Sequence, residues 1–186
     1  MNMHPATTLY TYDDYLTLPA DGNRYEIIEG EILMTPSPFV FHQKISFIIE
    51  RILDEYVSTH RCGMVLHAPI DVILSITDIV QPDILYIAEE RREIITKKNI
   101  VAAPDLLVEI ISDSSAIIDR TTKKLLYERS GVKEYWIVDP DLESIDCFTL
   151  VSGKFESFGS FKNNTQFRSK LLVGLTIDLQ KLFALL

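Results

Sequence analysis

Two segments of the sequence place an aspartate directly before an apolar run, PDIL at 82–85 and PDLL at 104–107. Only the second run continues to an interior acid, Glu109, which divides Leu106-Leu107-Val108 from Ile110-Ile111. Such a run is typical of a strand buried on both faces, where an unpaired carboxylate is costly. A divalent cation, a basic side chain or protonation must therefore compensate Glu109.

Asp83 is the second acid that this chemistry could use. It stands at the start of the other apolar run, so it is expected at the edge of a strand beside the one that carries Glu109. Two carboxylates at neighbouring strand edges favour a hard cation with oxygen ligands. The sequence therefore predicts that Asp83 and Glu109 share one divalent ion.

A third group follows on the next predicted helix, where Asp119, Lys123 and Tyr127 are spaced at i, i+4 and i+8. These three side chains project from roughly one face of a helix, and that face could overlook Glu109. The alternative is that Lys123 is exposed and pairs with Asp119, which contributes little to stability. Spacing alone slightly favours the alternative, so both interpretations stay open.

The elements that would position these residues alternate between strand and helix patterns. Apolar residues at helical spacing predict a long amphipathic helix over residues 41–59, packed on a sheet. Runs rich in β-branched residues predict strands at 64–67, 71–74, 83–87 and 106–111, which together form the central sheet. A helix from Ala116 to Ser130, ended by Gly131, and a strand at 134–138 complete a strand, helix, strand unit.

Shorter patterns predict the remaining elements. They are a short helix opened by Thr11 and ended by Pro19, hairpins at 24–34 and 144–158, and a closing helix from Leu179 to Leu186. Neither internal repeats nor a linker divide the chain. The predicted fold is therefore a single α/β (α+β) domain over residues 1–186, with a central mixed sheet flanked by helices.

Composition excludes several classes of protein. The chain has 186 residues, a net charge of −9 and 47% hydrophobic residues, which fits a globular domain and argues against disorder. No apolar run is long enough for a membrane span, and Met1 to Tyr10 lacks the pattern of a secretion signal, so we expect a cytoplasmic protein. Cys62 and Cys147 show no metal or disulfide pattern and are expected to be buried packing residues.

The acidic balance argues against nonspecific attraction to nucleic acid, which normally uses a surplus of Lys and Arg. Carboxylates that bind a metal would themselves add negative charge, so the objection is weak.

Several motifs, in order and spacing, resemble the Uma-type restriction endonucleases, a bacterial family in the PD-(D/E)XK nuclease superfamily. The resemblance runs from about Tyr12 to Leu150. The matching segments are RYEIIEGE at 24–31, His42, Pro82-Asp83, VEIIS at 108–112, Asp119, Lys123, Tyr127, Gly131-Val132 and EYWIVDP at 134–140.

The resemblance implies a restriction endonuclease-like core that cleaves DNA with Mg²⁺, or with Mn²⁺ in its place, bound by Asp83 and Glu109. The lysine expected two residues after the acid is absent, since Ile111 stands there, and the family pattern instead supplies Lys123 from the next helix. Two smaller departures, at Glu29 and Asp113, remove no ligand that the resemblance implies. By analogy with related nucleases that cut both strands of a duplex, it also implies a homodimer.

Four further residues are predicted to support this site: Glu26, His42, Asp119 and Tyr127. Glu26 matches a family acid that could complete the metal site, although an exposed hairpin position is an equal alternative. His42 could contact a phosphate, whereas a lone histidine more often caps or packs. Asp119 is expected to position Lys123, and Tyr127 either hydrogen-bonds the site or belongs to the core.

Two other functions stay open at this point. The first is a binding or regulatory module that keeps the nuclease fold without turnover, because a fold does not establish a function. The acidic charge, with few clustered basic residues, favours that interpretation. The second is a metal-dependent hydrolase that acts on a substrate other than DNA.

Overall fold

A six-stranded mixed sheet forms the centre of the fold, and a smaller four-stranded sheet accompanies it. The computed structural model describes residues 9–35, 37–162 and 165–184. The strands are β1 (Arg24–Ile28), β2 (Glu31–Thr35), β3 (Gly63–His67), β4 (Val72–Ser75), β5 (Asp78–Val80), β6 (Ile84–Ala88), β7 (Leu106–Ile110), β8 (Glu134–Asp139), β9 (Ser144–Val151), β10 (Lys154–Lys162), β11 (Gln166–Arg168) and β12 (Thr176–Asp178). The central order is β10-β9-β8-β7-β6-β3, and the second sheet has the order β2-β1-β5-β4.

The helical segments surround these sheets. They are α1 (Tyr12–Tyr15), α2 (Val40–His60), a 3-10 turn (Glu89–Ile94), α3 (Ala116–Ile118), a π turn (Asp119–Lys123), α4 (Lys124–Ser130) and α5 (Leu179–Phe183). We call α3, the π turn and α4 together the interrupted helix. None of the helices in the described part of the chain combines the length and apolar character needed to cross a membrane.

The two faces of the central sheet pack against different layers. Leu106, Val108 and Ile110 join the core that contains α2 and α5, whereas Leu107 joins the core that contains α4. Because side chains alternate along a strand, Glu109 points to the same face as Leu107, toward the interrupted helix. The sequence period thus determines which layer the buried acid meets.

Most predicted elements are confirmed. The strand, helix, strand unit is present, with β7 and β8 parallel and Glu109 opposite Ile137. The long helix α2 buries Ile45, Ile49, Leu53 and Val57 at helical spacing, and β1 pairs with β2 as the predicted hairpin. The mixed α/β class of the fold is therefore confirmed.

Some local predictions were wrong. The strand predicted at 71–74 lies in the second sheet as β4, paired with an unpredicted strand, β5, so it does not belong to the central sheet. The helix predicted from Ala116 to Ser130 is interrupted by the π turn. Cys147 is buried as expected, but Cys62 is only partly buried.

At the chain ends, the predictions extend beyond the described residues. The closing helix is confirmed over Leu179–Phe183, whereas residues 185 and 186 lie outside the described part. Residues 1–8, in the segment judged to lack a secretion signal, also lie outside it.

Candidate active site

A pocket of about 110 Å³ lies where β1, the start of α2, the segments around β6 and β7, and the interrupted helix meet. Six of the seven residues predicted for the site line it: Glu26, His42, Asp83, Glu109, Asp119 and Lys123. The seventh, Tyr127, is fully buried and reaches the site by its hydroxyl, which donates a hydrogen bond of 2.7 Å to Glu109 Oε1. Residues from five parts of the chain therefore converge on one cavity.

Lys123 lies among three carboxylates of this pocket. Its Nζ is 3.0 Å from Glu26 Oε2, 3.1 Å from Glu109 Oε1 and 3.5 Å from Asp119 Oδ1. The side chain is buried, so the alternative of an exposed surface pair with Asp119 was wrong. These carboxylates raise the pKa of Lys123 well above its usual value even though burial opposes that shift.

Lys124, the next residue, points elsewhere. Its Nζ lies 4.0 Å from the centroid of the Phe148 ring on β9. Successive residues of a helix differ in direction by roughly 100 degrees, so the two lysines cannot both face the pocket. Lys124 is therefore a matched control for any experiment on Lys123.

Glu109 is a deeply buried acid of the pocket. Burial raises its pKa from 4.5 to about 8, and the nearby Asp119, Asp83 and Glu26 add to that shift against the opposing effect of Lys123. Burial likewise raises the pKa of Asp119. Burial of these carboxylates around one ammonium group therefore disfavours the charged forms of Glu109 and Asp119.

Asp83 lies immediately before β6 and has partners different from those of Glu109. Its Oδ2 accepts a hydrogen bond of 2.9 Å from the Ile110 amide and lies 3.0 Å from His42 Nε2, and its Oδ1 lies 3.7 Å from Arg24 Nη1. Although burial opposes it, the contacts with His42, Ile110 and Arg24 hold the pKa of Asp83 below its usual value. Asp83 therefore favours the charged form, unlike Glu109.

Glu26 is buried on β1 rather than exposed on a hairpin. Besides its contact with Lys123, its Oε1 accepts a hydrogen bond of 2.7 Å from the Gln81 amide. This contact ties the second sheet to the segment before Asp83. The exposed alternative for Glu26 was wrong.

Sequence reasoning missed the part that Arg24 has in this pocket. Arg24 belongs to the RYEIIEGE motif, and it stands two positions before Glu26 on the same strand. Alternation along β1 places both side chains on one face, and that signal could have identified Arg24. Arg24 Nε and His42 Nδ1 are buried without a hydrogen-bond partner in the described structure.

The PDLL segment at 104–107, which resembles PDIL at 82–85, has a different role. Asp105 is completely buried, accepts a hydrogen bond of 2.8 Å from the Ala88 amide, and pairs with Arg91 and Lys133. None of these residues lines the pocket described above. Asp105 is therefore a structural residue.

The donor set of the pocket suits a hard divalent cation. Among the described residues that line it are four carboxylates, against Arg24 and Lys123 as the only Lys or Arg residues, so negative charge is in excess. This excess contributes to the raised pKa of Glu109. Among the described residues, no three His, Cys, Asp or Glu side chains are already clustered as a metal cage.

Comparison with known proteins gives consistent matches. The model of the Uma2 family, described as "Putative restriction endonuclease", matches residues 12–180. An uncharacterized protein of Synechocystis is 24% identical over 150 residues, which is 80% of this chain and 85% of that protein. A crystal structure from Anabaena variabilis, described as a "putative nuclease belonging to DUF820", has a TM-score of 0.78 at 22% identity and covers 94% of this chain and 97% of its own.

Proposed function

The chain belongs to the Uma2 family, and from this premise we propose that it is a Mg²⁺-dependent endodeoxyribonuclease that hydrolyses phosphodiester bonds of DNA. The observation that carries the proposal is the convergence of Asp83, Glu109 and Lys123 on one pocket. The pKa of Asp83 is lowered and that of Glu109 is raised, and the buried ammonium group of Lys123 lies beside Glu109. This combination suits metal-assisted hydrolysis.

Asp83 and Glu109 are the residues that would hold Mg²⁺, and Mn²⁺ could replace it because both cations accept carboxylate oxygens. When bound, such an ion supplies Lewis-acid polarisation of a phosphodiester oxygen and lowers the pKa of water. Asp83 is suited to this role because its pKa is already lowered. Glu109 becomes suited once an added positive charge favours its ionised form.

Lys123 is the residue proposed to orient the attacking water or to stabilise charge that develops on the phosphate. Glu26 and Asp119 hold its ammonium group by direct contacts, and Tyr127 holds the Glu109 carboxylate by its hydrogen bond. These three residues therefore act as positioning residues.

Arg24 and His42 are proposed to bind oxygens of the DNA phosphate. Both line the pocket beside Asp83, and each has one buried nitrogen without a partner among the described residues. A guanidinium group is always charged and matches the geometry of phosphate. A bound phosphodiester would meet the exposed part of the Arg24 side chain, which is 23% accessible.

A second candidate function, a DNA-binding or regulatory module without turnover, is favoured by one observation. The Lys123 ammonium group already lies 3.1 Å from Glu109, so the acid has a partner before any metal arrives. A purely structural ion pair would show this same contact.

A plasmid-nicking assay separates the two functions. Protein stripped of metal with EDTA is titrated with Mg²⁺ or Mn²⁺, beside Asp83→Asn and the control Asp141→Asn, an exposed acid outside the pocket. We expect nicking that requires metal, is lost in Asp83→Asn and survives in Asp141→Asn. The same series is run on circular single-stranded DNA. Absence of cleavage of both substrates at any metal concentration, or equal cleavage by both variants, would overturn the nuclease proposal.

A further inference from the structure

An apolar rim lies along one part of the pocket and has no part in the chemistry proposed so far. We define this rim as Met34, Pro38, Phe39 and Ile118, all of which line the cavity. Met34 is 63% exposed and Phe39 is 73% exposed. Large exposed apolar side chains gathered at the opening of a polar cavity mark a binding surface rather than ordinary packing.

The chemistry of the rim differs from that of the polar part of the pocket, which we call the floor. The floor carries the carboxylates together with Arg24 and His42, whereas the rim offers an aromatic ring and aliphatic side chains. A ligand that suits both must combine an anionic group with a flat apolar surface. A nucleotide does so, since its phosphate is charged and its base has a π face that stacks on aromatic rings.

The charge of the pocket argues against paired DNA as this ligand. Binding to a duplex draws mainly on many phosphate contacts from Lys and Arg. Among the described residues, the pocket is lined by only two of these, of which Lys123 is buried and paired with carboxylates. Arg24, which lies 3.7 Å from Asp83, is left with His42 to meet a phosphate, and the whole chain carries a charge of −9.

Paired bases are also unable to use the rim. In a duplex, the faces of the bases are stacked on one another and only their edges reach the grooves. A base can stack on Phe39 only when it is unstacked from its neighbours, as in a single strand, a loop or a flipped nucleotide.

We propose that this site takes unpaired DNA, with a base stacked on Phe39 at the apolar rim and the adjoining phosphate beside Arg24. The inference rests on the proposed nuclease function and narrows its substrate class. Phe39 is the residue that determines this preference, because it carries the one phenyl ring among the described residues that line the pocket.

The test measures binding without turnover. A fluorescent single-stranded oligonucleotide and the matching duplex are titrated in Ca²⁺ and followed by anisotropy, with wild type, Phe39→Ala and Phe47→Ala. Phe47 is a fair control because it is a phenylalanine of α2, 54% exposed, outside this pocket. We expect single strands to bind more tightly than the duplex, and Phe39→Ala to weaken that binding about tenfold, a typical loss for one stacked base. Phe47→Ala should bind like wild type.

Other outcomes overturn the inference. Equal or tighter binding of the duplex would do so, and so would an unchanged affinity in Phe39→Ala or the absence of any DNA binding. Light scattering on the same samples covers a further outcome: if Phe39→Ala splits an oligomer that Phe47→Ala leaves intact, the rim is a subunit interface and the inference is wrong.

The nicking assay keeps this failure distinct from failure of the nuclease proposal. A protein that cuts duplex DNA equally well with and without Phe39 is a nuclease whose substrate class we have misassigned. A protein that binds single strands through Phe39 but never cuts them is a binding module.

Discussion

Glu109 is held in an environment that favours its protonated form, and this has a consequence for stability. Its pKa is about 8 in the folded protein against 4.5 for an ordinary glutamate, so the folded state binds the proton more tightly than the unfolded state. Stability from this group is therefore present below pH 4.5 and is lost as the pH rises toward 8.

We predict that, without divalent metal, the free energy of unfolding of wild type falls relative to that of Glu109→Gln between pH 4.5 and 8. The limiting slope of the difference is about 1.4 kcal/mol per pH unit. Urea denaturation at a series of pH values measures it. A difference that is flat over this range, or that rises with pH, would show that Glu109 is ionised throughout.

Lys123 contributes both to the stability of the pocket and to the proposed nuclease activity. In Lys123→Ala, three buried carboxylates lose their shared ammonium group, so we predict a loss of stability of about 3–5 kcal/mol and a large loss of nuclease activity. Lys124→Ala loses the contact with Phe148 and the charge near Glu128, and it should cost about 0.5–1 kcal/mol with little change in activity. Thermal unfolding and nicking rates, measured below both melting temperatures, compare the two. Similar behaviour of the two variants would contradict the role given to Lys123.

For individual residues, spacing in the sequence identified the members of the site but not the residues that they contact. The i, i+4 relation of Asp119 and Lys123 fits both a surface pair and a buried one, and only the packing of the helix on the sheet distinguishes them. Alternation along β1 could have placed Arg24 on the same face as Glu26, but its contact with Asp83 joins residues far apart in the chain and could not be read from that spacing.

The interrupted helix is the element that places three of the site residues. Asp119 and Lys123 bound its π turn, and Tyr127 lies in α4. A π turn widens the helix locally, and such turns occur frequently at functional sites. The sequence predicted a regular helix here because no residue type marks a π turn, so the irregularity becomes visible only in the folded chain.

Gly131 ends this helix, and its backbone provides a test of the element. Its φ is +86° with open space where a methyl group would lie, so a side chain would meet strain in the backbone rather than a clash. We predict that Gly131→Ala destabilises the fold by about 1 kcal/mol while Ser130→Ala, in the last turn, is close to neutral. Urea denaturation compares them. Equal stability of the two variants would contradict the left-handed conformation at Gly131.

The strand predictions likewise identified local patterns correctly but not which strands lie side by side. Each apolar run was identified, but the run at 71–74 was assigned to the wrong sheet. Alternation reports the faces of a strand and says nothing about which strand lies beside it. The short strand β5 was missed because three residues carry too little pattern.

For the whole molecule, we predict a homodimer, by analogy with related nucleases that carry one site in each subunit. Light scattering at working concentration measures the mass directly, and the chain alone is 21.3 kDa. A mass close to that of one chain would count against this prediction.

The central claim is that Asp83 and Glu109 hold one divalent cation, and calorimetry tests it most directly. EDTA-treated protein is titrated with Mg²⁺ or Mn²⁺, beside Asp83→Ala and the exposed control Asp141→Asn, with circular dichroism to confirm that each variant is folded. Because these acids face the pocket with negative charge in excess, we predict one bound ion per chain, strongly weakened in Asp83→Ala and unchanged in Asp141→Asn. Binding of equal strength in folded Asp83→Ala, or no binding to wild type, would contradict the account.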